Sequence, residues 1–167
     1  MDLVISDSSV LIHIASIHRI SLLKKLFHHL LLPPAVWQEV VEQGGDRAGV
    51  NEVRQAQQAG WIEIATPGNI LVLKLLKREL DAGEAEVIAL ALERQATLIF
   101  MDEAEGRRVA EVYGLSKTGT VGILIRAKQA GYITSLKTEL DNLLHQGHFW
   151  IKDTLYSAVL KAVGEDG

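Results

Sequence analysis

Apolar residues along the chain come in two rhythms: short unbroken runs, and longer stretches at helical spacing. Leu3, Val4 and Ile5 stand together and give way at once to Asp7 and two serines. An apolar run without polar alternation suits a strand covered on both faces, so residues 3–6 are predicted as a short buried strand. Ser8 and Ser9 supply helix-start chemistry for a helix to about residue 17, and a second helix is predicted over 20–27. Leu30, Leu31 and Leu32 form another run, closed by Pro33-Pro34, where a helix starts readily because proline suits the first turn. That helix carries Val36, Trp37, Glu39, Val40 and Val41 and stops near Gly44-Gly45.

Further on, the pattern predicts a helix over 48–59, a strand over 61–65 and a helix from Pro67-Gly68 to about Leu80. A break at 81–83 precedes a strongly helical segment, 84–93. Residues 97–101 read as a second continuous apolar strand, followed by a helix over 103–113 and a short last strand at Leu115-Ser116. Helices over about 118–130, 135–145 and 152–163 complete the chain. Strands alternating with helices imply an α/β fold, a mainly parallel sheet with helices on both sides. There is no repeat or linker, so one domain over 1–167 is expected, its helices from about residue 132 appended to the core.

Composition alters this picture little. The chain has 167 residues, 48% hydrophobic and 23% charged, enough for one sizeable core. With no cysteine, disulfides and thiolate metal sites are excluded. The acidic start does not look like a secretory leader, and no apolar run approaches the roughly 18 residues of a membrane span, so a cytoplasmic protein without membrane contact is expected. A net charge of −4 taken alone argues against nucleic acid, yet a metal site built of acids carries that sign until its cation binds.

Ligands of such sheets bind at the carboxyl ends of the strands. Asp7 directly follows the first predicted strand and Asp102 follows the strand over 97–101. Each also begins a helix, so helix capping explains either one as well as function does, and Asp102 with Glu105 makes a D-x-x-E capping pattern. Glu84 shares a helix face with Val87, Ile88 and Ala91, which aligns it with the buried stripe; Glu86 faces a more mixed side. Glu39 is unremarkable alone. The histidines lack H-x-x-x-H spacing, which speaks against zinc, and Trp150 is expected in the core or an interface rather than as a stacking platform for bases.

The local words V-I-S-D-S-S, P-A-V-W-Q-E-V, E-A-E-V-I-A-L-A and L-I-F-M-D, in this order over residues 1–124, resemble the four acidic segments of the PIN-domain nucleases. In the third segment the family's acid precedes alanines at +5 and +7; Glu84 meets this with Ala89 and Ala91, and Glu86 does not. Glu84 stands where the family often has Asp, and Phe100 where it often has Thr. The runs G-E-A-E, D-E-A-E-G-R-R and T-G-T-V-G resemble a branch close to the VapC-type toxins.

The resemblance implies a PIN-like three-layer α/β/α sandwich. It implies a cluster of Asp7, Glu39, Glu84 and Asp102 that holds Mg²⁺ or Mn²⁺ and hydrolyses RNA phosphodiesters, with Ser8, Glu86, Glu103 and Glu105 as further candidates. Lys117, Thr118, Thr120, Arg107 and Arg108 are candidate phosphate contacts, although Thr118 also suits helix capping and the arginines suit a solvated helix face. A toxin would have a cognate antitoxin covering the acidic cleft, and a homodimer is expected. An aspartyl-phosphate enzyme is disfavoured because Ser9 stands where that chemistry wants a second acid. A silent PIN-fold interaction module and a structure-specific DNA nuclease are the remaining alternatives.

Overall fold

Five short strands, β1 (Val4–Ser6), β2 (Leu30–Leu32), β3 (Ile62–Ile64), β4 (Leu98–Phe100) and β5 (Lys117–Thr118), pair in parallel in the order β3-β2-β1-β4-β5. This is a computed structural model that describes residues 2–146 and 148–165; both ends of the expected 1–167 domain lie outside the described residues. β1 and β2 are buried along their whole length, which is why they read as unbroken apolar runs. β3, at the edge, buries Ile62 and exposes Glu63 and Ile64.

The strand order sets the position of the site. From β1 the chain winds outward to β2 and β3, then returns to place β4 on the other side of β1. A crevice opens at such a switch point, at the carboxyl ends of the two strands. Ser6 is in register with Phe100, so Asp7 and Asp102 leave the sheet side by side.

The helices are α1 (Ser8–Ser16), α2 (Ile20–Phe27), α3 (Pro34–Trp37), α4 (Val50–Gln58), α5 (Ile70–Leu76), α6 (Ala82–Arg94), α7 (Ala104–Val112), α8 (Thr120–Gln129), α9 (Leu136–Gln146) and α10 (Asp153–Ala162). α6 lies on β1, with α3, α5 and α7 against it; on the other face α2 covers β2 and meets α1 and α8, and α9 joins α1 and α8. The result is the expected α/β/α sandwich. Leu136, Leu140 and Leu143 of α9 and Leu160 of α10 are buried in the same core as the sheet. Arg19 holds buried Glu139 through both Nε and Nη2, tying the start of α2 to α9.

Several boundaries differ from the sequence expectations. The last strand is Lys117–Thr118, not Leu115-Ser116, and α8 starts at Thr120 with Gly119 at its N-cap, so Thr118 is no cap. α6 starts at Ala82, before the predicted 84, because Asp81 caps it. α7 is preceded by Glu103 rather than Asp102, so the D-x-x-E pattern of Asp102 and Glu105 is not a capping box. Trp150 is 73% exposed, outside the core.

Candidate metal centre

Asp7 is the N-cap of α1. Its Oδ1 accepts the Val10 N–H at 2.9 Å and its Oδ2 accepts the Asp102 N–H at 3.3 Å. Capping therefore takes one oxygen of Asp7, and the other accepts the Asp102 N–H at the wall of the crevice. Asp7 is 2% exposed. Burial pushes its carboxyl up to about 7, and the nearby charges of Asp102 and Glu103 push the same way against the pull of the two N–H donors.

Asp102 has the opposite environment. Burial alone would raise its carboxyl, but hydrogen bonds from His13 and Thr120 outweigh it and hold the group below its ordinary value. Thr120 donates its N–H to Oδ1 at 2.8 Å and its hydroxyl to Oδ2 at 2.5 Å; His13 Nδ1 reaches Oδ2 at 2.9 Å. An ionised carboxylate only accepts, so Nδ1 carries the imidazole proton. The two neighbouring aspartates thus share their burden unequally, with Asp102 ionised and Asp7 the one that retains a proton most readily. Gly119 makes this packing possible, since a Cβ there would stand 2.5 Å from Asp102 Oδ1.

Glu84 forms a capping box with Asp81. Asp81 Oδ1 accepts the Glu84 N–H at 2.8 Å, and Glu84 Oε1 accepts the Asp81 N–H at 3.3 Å. Its Oε2 lies over Gly106 of α7, where a Cβ would approach to 3.1 Å. Burial, followed by the charges of Asp81 and Glu103, raises the Glu84 carboxyl. Glu86 points elsewhere, accepting the Ala35 N–H in the first turn of α3 at 3.1 Å.

Glu39 is exposed on a widened turn, Gln38–Glu42, where the Gln43 N–H bonds the carbonyl five residues back, Gln38 O, at 2.8 Å. Such widened turns recur at functional sites. Asp7, Ser8, Ser9, Glu39, Asp81, Gly83, Glu84 and Glu103 line one cleft with a cavity of about 20 Å³. That is space for one water or one cation, far below a cofactor or drug-sized pocket. A larger hollow of about 510 Å³ lies over residues 45–54, away from these acids, and its lining mixes Arg47 and Arg54 with Asp46 and Glu52.

Of the other candidates, Glu105 is exposed and paired with Arg108 at 3.2 Å, and Arg108 also reaches Glu79 at 3.5 Å. Arg107 donates to the Met101 carbonyl at 2.8 Å. Lys117 stands 3.7 Å from Glu111. Thr118 and Thr120 are buried, and both Thr120 donors serve Asp102. None of these six residues lines the cleft, and neither does Asp102.

Sequence reasoning missed two members. Asp81 carried a legible signal, the D-x-x-E spacing to Glu84. His13 carried none, because its contact with Asp102 exists only once β1 and β4 are neighbours.

The donor set fits a hard divalent cation. All the cleft ligands are oxygen, one carboxyl is buried at an elevated pKa, and the Ser8 hydroxyl is buried without a hydrogen-bond partner. Among the described residues, however, no three His, Asp or Glu side chains are gathered closely enough to hold an ion as they stand.

A parallel sheet with an acidic crevice at its switch point defines an α/β protein with its ligand cleft at the strand ends. A family model for the PIN domain matches residues 3–165, and the chain belongs to that family. PIN domains are generally nucleases that use divalent metals. A search of curated proteins finds no match. No described helix is long and apolar enough to cross a membrane.

Proposed function

We propose that this protein is a metal-dependent endoribonuclease, holding Mg²⁺ or Mn²⁺ in the cleft and hydrolysing RNA phosphodiester bonds. The observation that carries the reading is Asp7: a buried carboxyl raised to about 7 beside the orphaned Ser8 hydroxyl, in a cleft that Glu39 and Glu84 also line. A bound divalent cation would supply charge relief at the phosphate and a more acidic water. Asp7, Glu39 and Glu84 would hold it, with Asp102 behind Asp7. The Ser8 hydroxyl has a free donor for a phosphate oxygen or a bound water. One of these carboxylates would take a proton from the attacking water, and Glu39 among them is exposed to solvent.

RNA rather than DNA, and a toxin's role, rest on the resemblance to the VapC-type branch. In that role the protein is cytoplasmic and forms a homodimer, and a cognate antitoxin covers the cleft with a basic side chain directed at the carboxylates. One observation favours the rival reading, a PIN fold that binds protein and cuts nothing: the acids are not gathered around one point.

The test is cleavage of matched RNA and DNA by wild type and Asp7→Asn, with Mg²⁺ and with EDTA. Cleavage of RNA by wild type with Mg²⁺ alone supports the proposal. Equal cleavage by both proteins means a contaminant, preference for DNA replaces the substrate, and no cleavage leaves the interaction module. Growth arrest on expression, abolished by Asp102→Asn and relieved by a neighbouring gene's product, tests the toxin role.

A further inference from the structure

Trp150 is the most exposed of the large apolar side chains described, at 73%, yet the chain on both sides of it is anchored. Phe149 packs against the core, Ile151 is buried, and Lys152 is the N-cap of α10. The indole is thus held out in water between two anchored neighbours. An exposed ring of this size offers a partner a large, rigid apolar face and one N–H donor.

The neighbours place it beside the cleft. The Phe149 ring meets the His13 ring edge-on, with 5.0 Å between centroids and 76° between planes. His13 in turn holds Asp102 through Nδ1 at 2.9 Å. On α1, His13 comes one turn after Ser9, on the same face, and Ser9 lines the acidic cleft. Trp150 therefore follows directly on the residue that abuts the α1 wall of the cleft. The local charge suits a polyanion there. Residues 142–152 contain His145, His148 and Lys152 and no acid, in a chain of net charge −4, and both His148 and Lys152 are exposed.

We propose that Trp150 is a substrate-binding residue whose indole stacks on an unpaired base of the RNA, next to the phosphate held in the cleft, with Lys152 beside the backbone. A cation that follows the phosphates and an aromatic ring that takes a base are the two parts of a single-strand binding surface. A duplex has no free base face to offer, since its bases stack on one another, so this contact favours unpaired RNA. The inference rests on the ribonuclease reading of the cleft.

The test uses the full chain, a short RNA without internal pairing, and the same backbone stripped of its bases, which keeps the charge and removes the stack. Binding is read by anisotropy of a fluorescent label in Ca²⁺, which replaces Mg²⁺ to hold back cleavage, and Trp emission is followed in parallel. Trp150→Ala is expected to bind the base-bearing RNA at least about fivefold more weakly, the lower range of what a lost base–aromatic stack costs. Trp150→Phe keeps a ring and is expected to recover most of that loss, while RNA quenches its Trp emission less than that of wild type. The abasic RNA should bind all three proteins alike, and their melting temperatures should agree, because the indole lies in water. Wild-type affinity in Trp150→Ala overturns the inference and leaves the ribonuclease reading standing, as does an equal loss on both RNAs. Leu144 and Leu155 are also exposed, in α9 and α10, so light scattering follows the mass of each protein. A changed oligomeric state in Trp150→Ala with RNA affinity intact makes Trp150 a protein contact and overturns the stack. Should Trp150→Ala fail to fold, equal quenching of wild type and Trp150→Phe overturns the inference. Neither binding nor cleavage of RNA by wild type overturns both the inference and the reading it rests on.

Discussion

Thr120 grips Asp102 at both carboxylate oxygens, its N–H reaching Oδ1 at 2.8 Å and its hydroxyl reaching Oδ2 at 2.5 Å. The residue that opens α8 therefore fixes the loop leaving β4, and through the Asp102 N–H it fixes Asp7 as well. Hydrogen bonds to an ionised group are the strong ones, and here they oppose burial successfully.

Thr120→Val removes the hydroxyl and keeps the shape. It is expected to cost about 1–3 kcal/mol of stability in chemical denaturation, since Asp102 loses a charge-assisted partner. Gly119→Ala should cost a similar amount, about 1–3 kcal/mol, for a different reason: the new methyl meets a carboxylate that cannot retreat. A neutral Gly119→Ala would mean that Asp102 is less firmly held than its bonds indicate.

Asp7 makes the metal-free protein sensitive to pH. Its folded value of about 7 lies above the ordinary 3.8, so between these values the folded state binds more protons than the unfolded one. Stability from this group is therefore undiminished below about pH 4, falls as pH rises, and levels off above about pH 7. A shift of this size corresponds to roughly 4 kcal/mol. In EDTA, Asp7→Asn is expected to flatten this decline and to be the more stable protein at pH 8. A wild-type decline that persists unchanged in Asp7→Asn would assign it to other groups.

Divalent cations should reverse that penalty. At pH 8, Mg²⁺ or Mn²⁺ near 100 times its dissociation constant is expected to stabilise wild type by about 2.7 kcal/mol. The increase should vanish in Asp7→Asn. Scanning fluorimetry at several cation concentrations measures it, with Ca²⁺ and Na⁺ as comparisons.

Glu84 and Glu86, two residues apart, should behave differently. Glu84→Gln weakens the cleft and is expected to reduce RNA cleavage by about 100-fold or more, a few kcal/mol of transition-state stabilisation. Glu86→Gln touches only the first turn of α3 and should leave cleavage near wild type, at a stability cost of about 1 kcal/mol. The reverse pattern would exchange their roles.

Much of this was legible in the chain. β1 and β2 declared themselves as apolar runs because both of their faces are covered, and α2 falls on its predicted span. β5 did not, since it is two residues long, polar and at the sheet edge; its position is set by main-chain bonds such as Met101 N–H to Thr118 O at 2.9 Å. The order β3-β2-β1-β4-β5 was likewise invisible, and with it the contact of His13 with Asp102. The capping signal was present, but a D-x-x-E spacing occurs at Asp81 and again at Asp102, and only at Asp81 does the backbone use it. The widened turn under Glu39 left no mark in the sequence pattern.

The central claim is that these carboxylates serve a cation, and anomalous diffraction from crystals soaked in Mn²⁺ tests it most directly. A single strong peak is expected in the cleft, within roughly 2.5 Å of Asp7 and Glu84 oxygens, as a hard cation requires. An empty cleft in crystals that hold Mn²⁺ elsewhere would contradict the account.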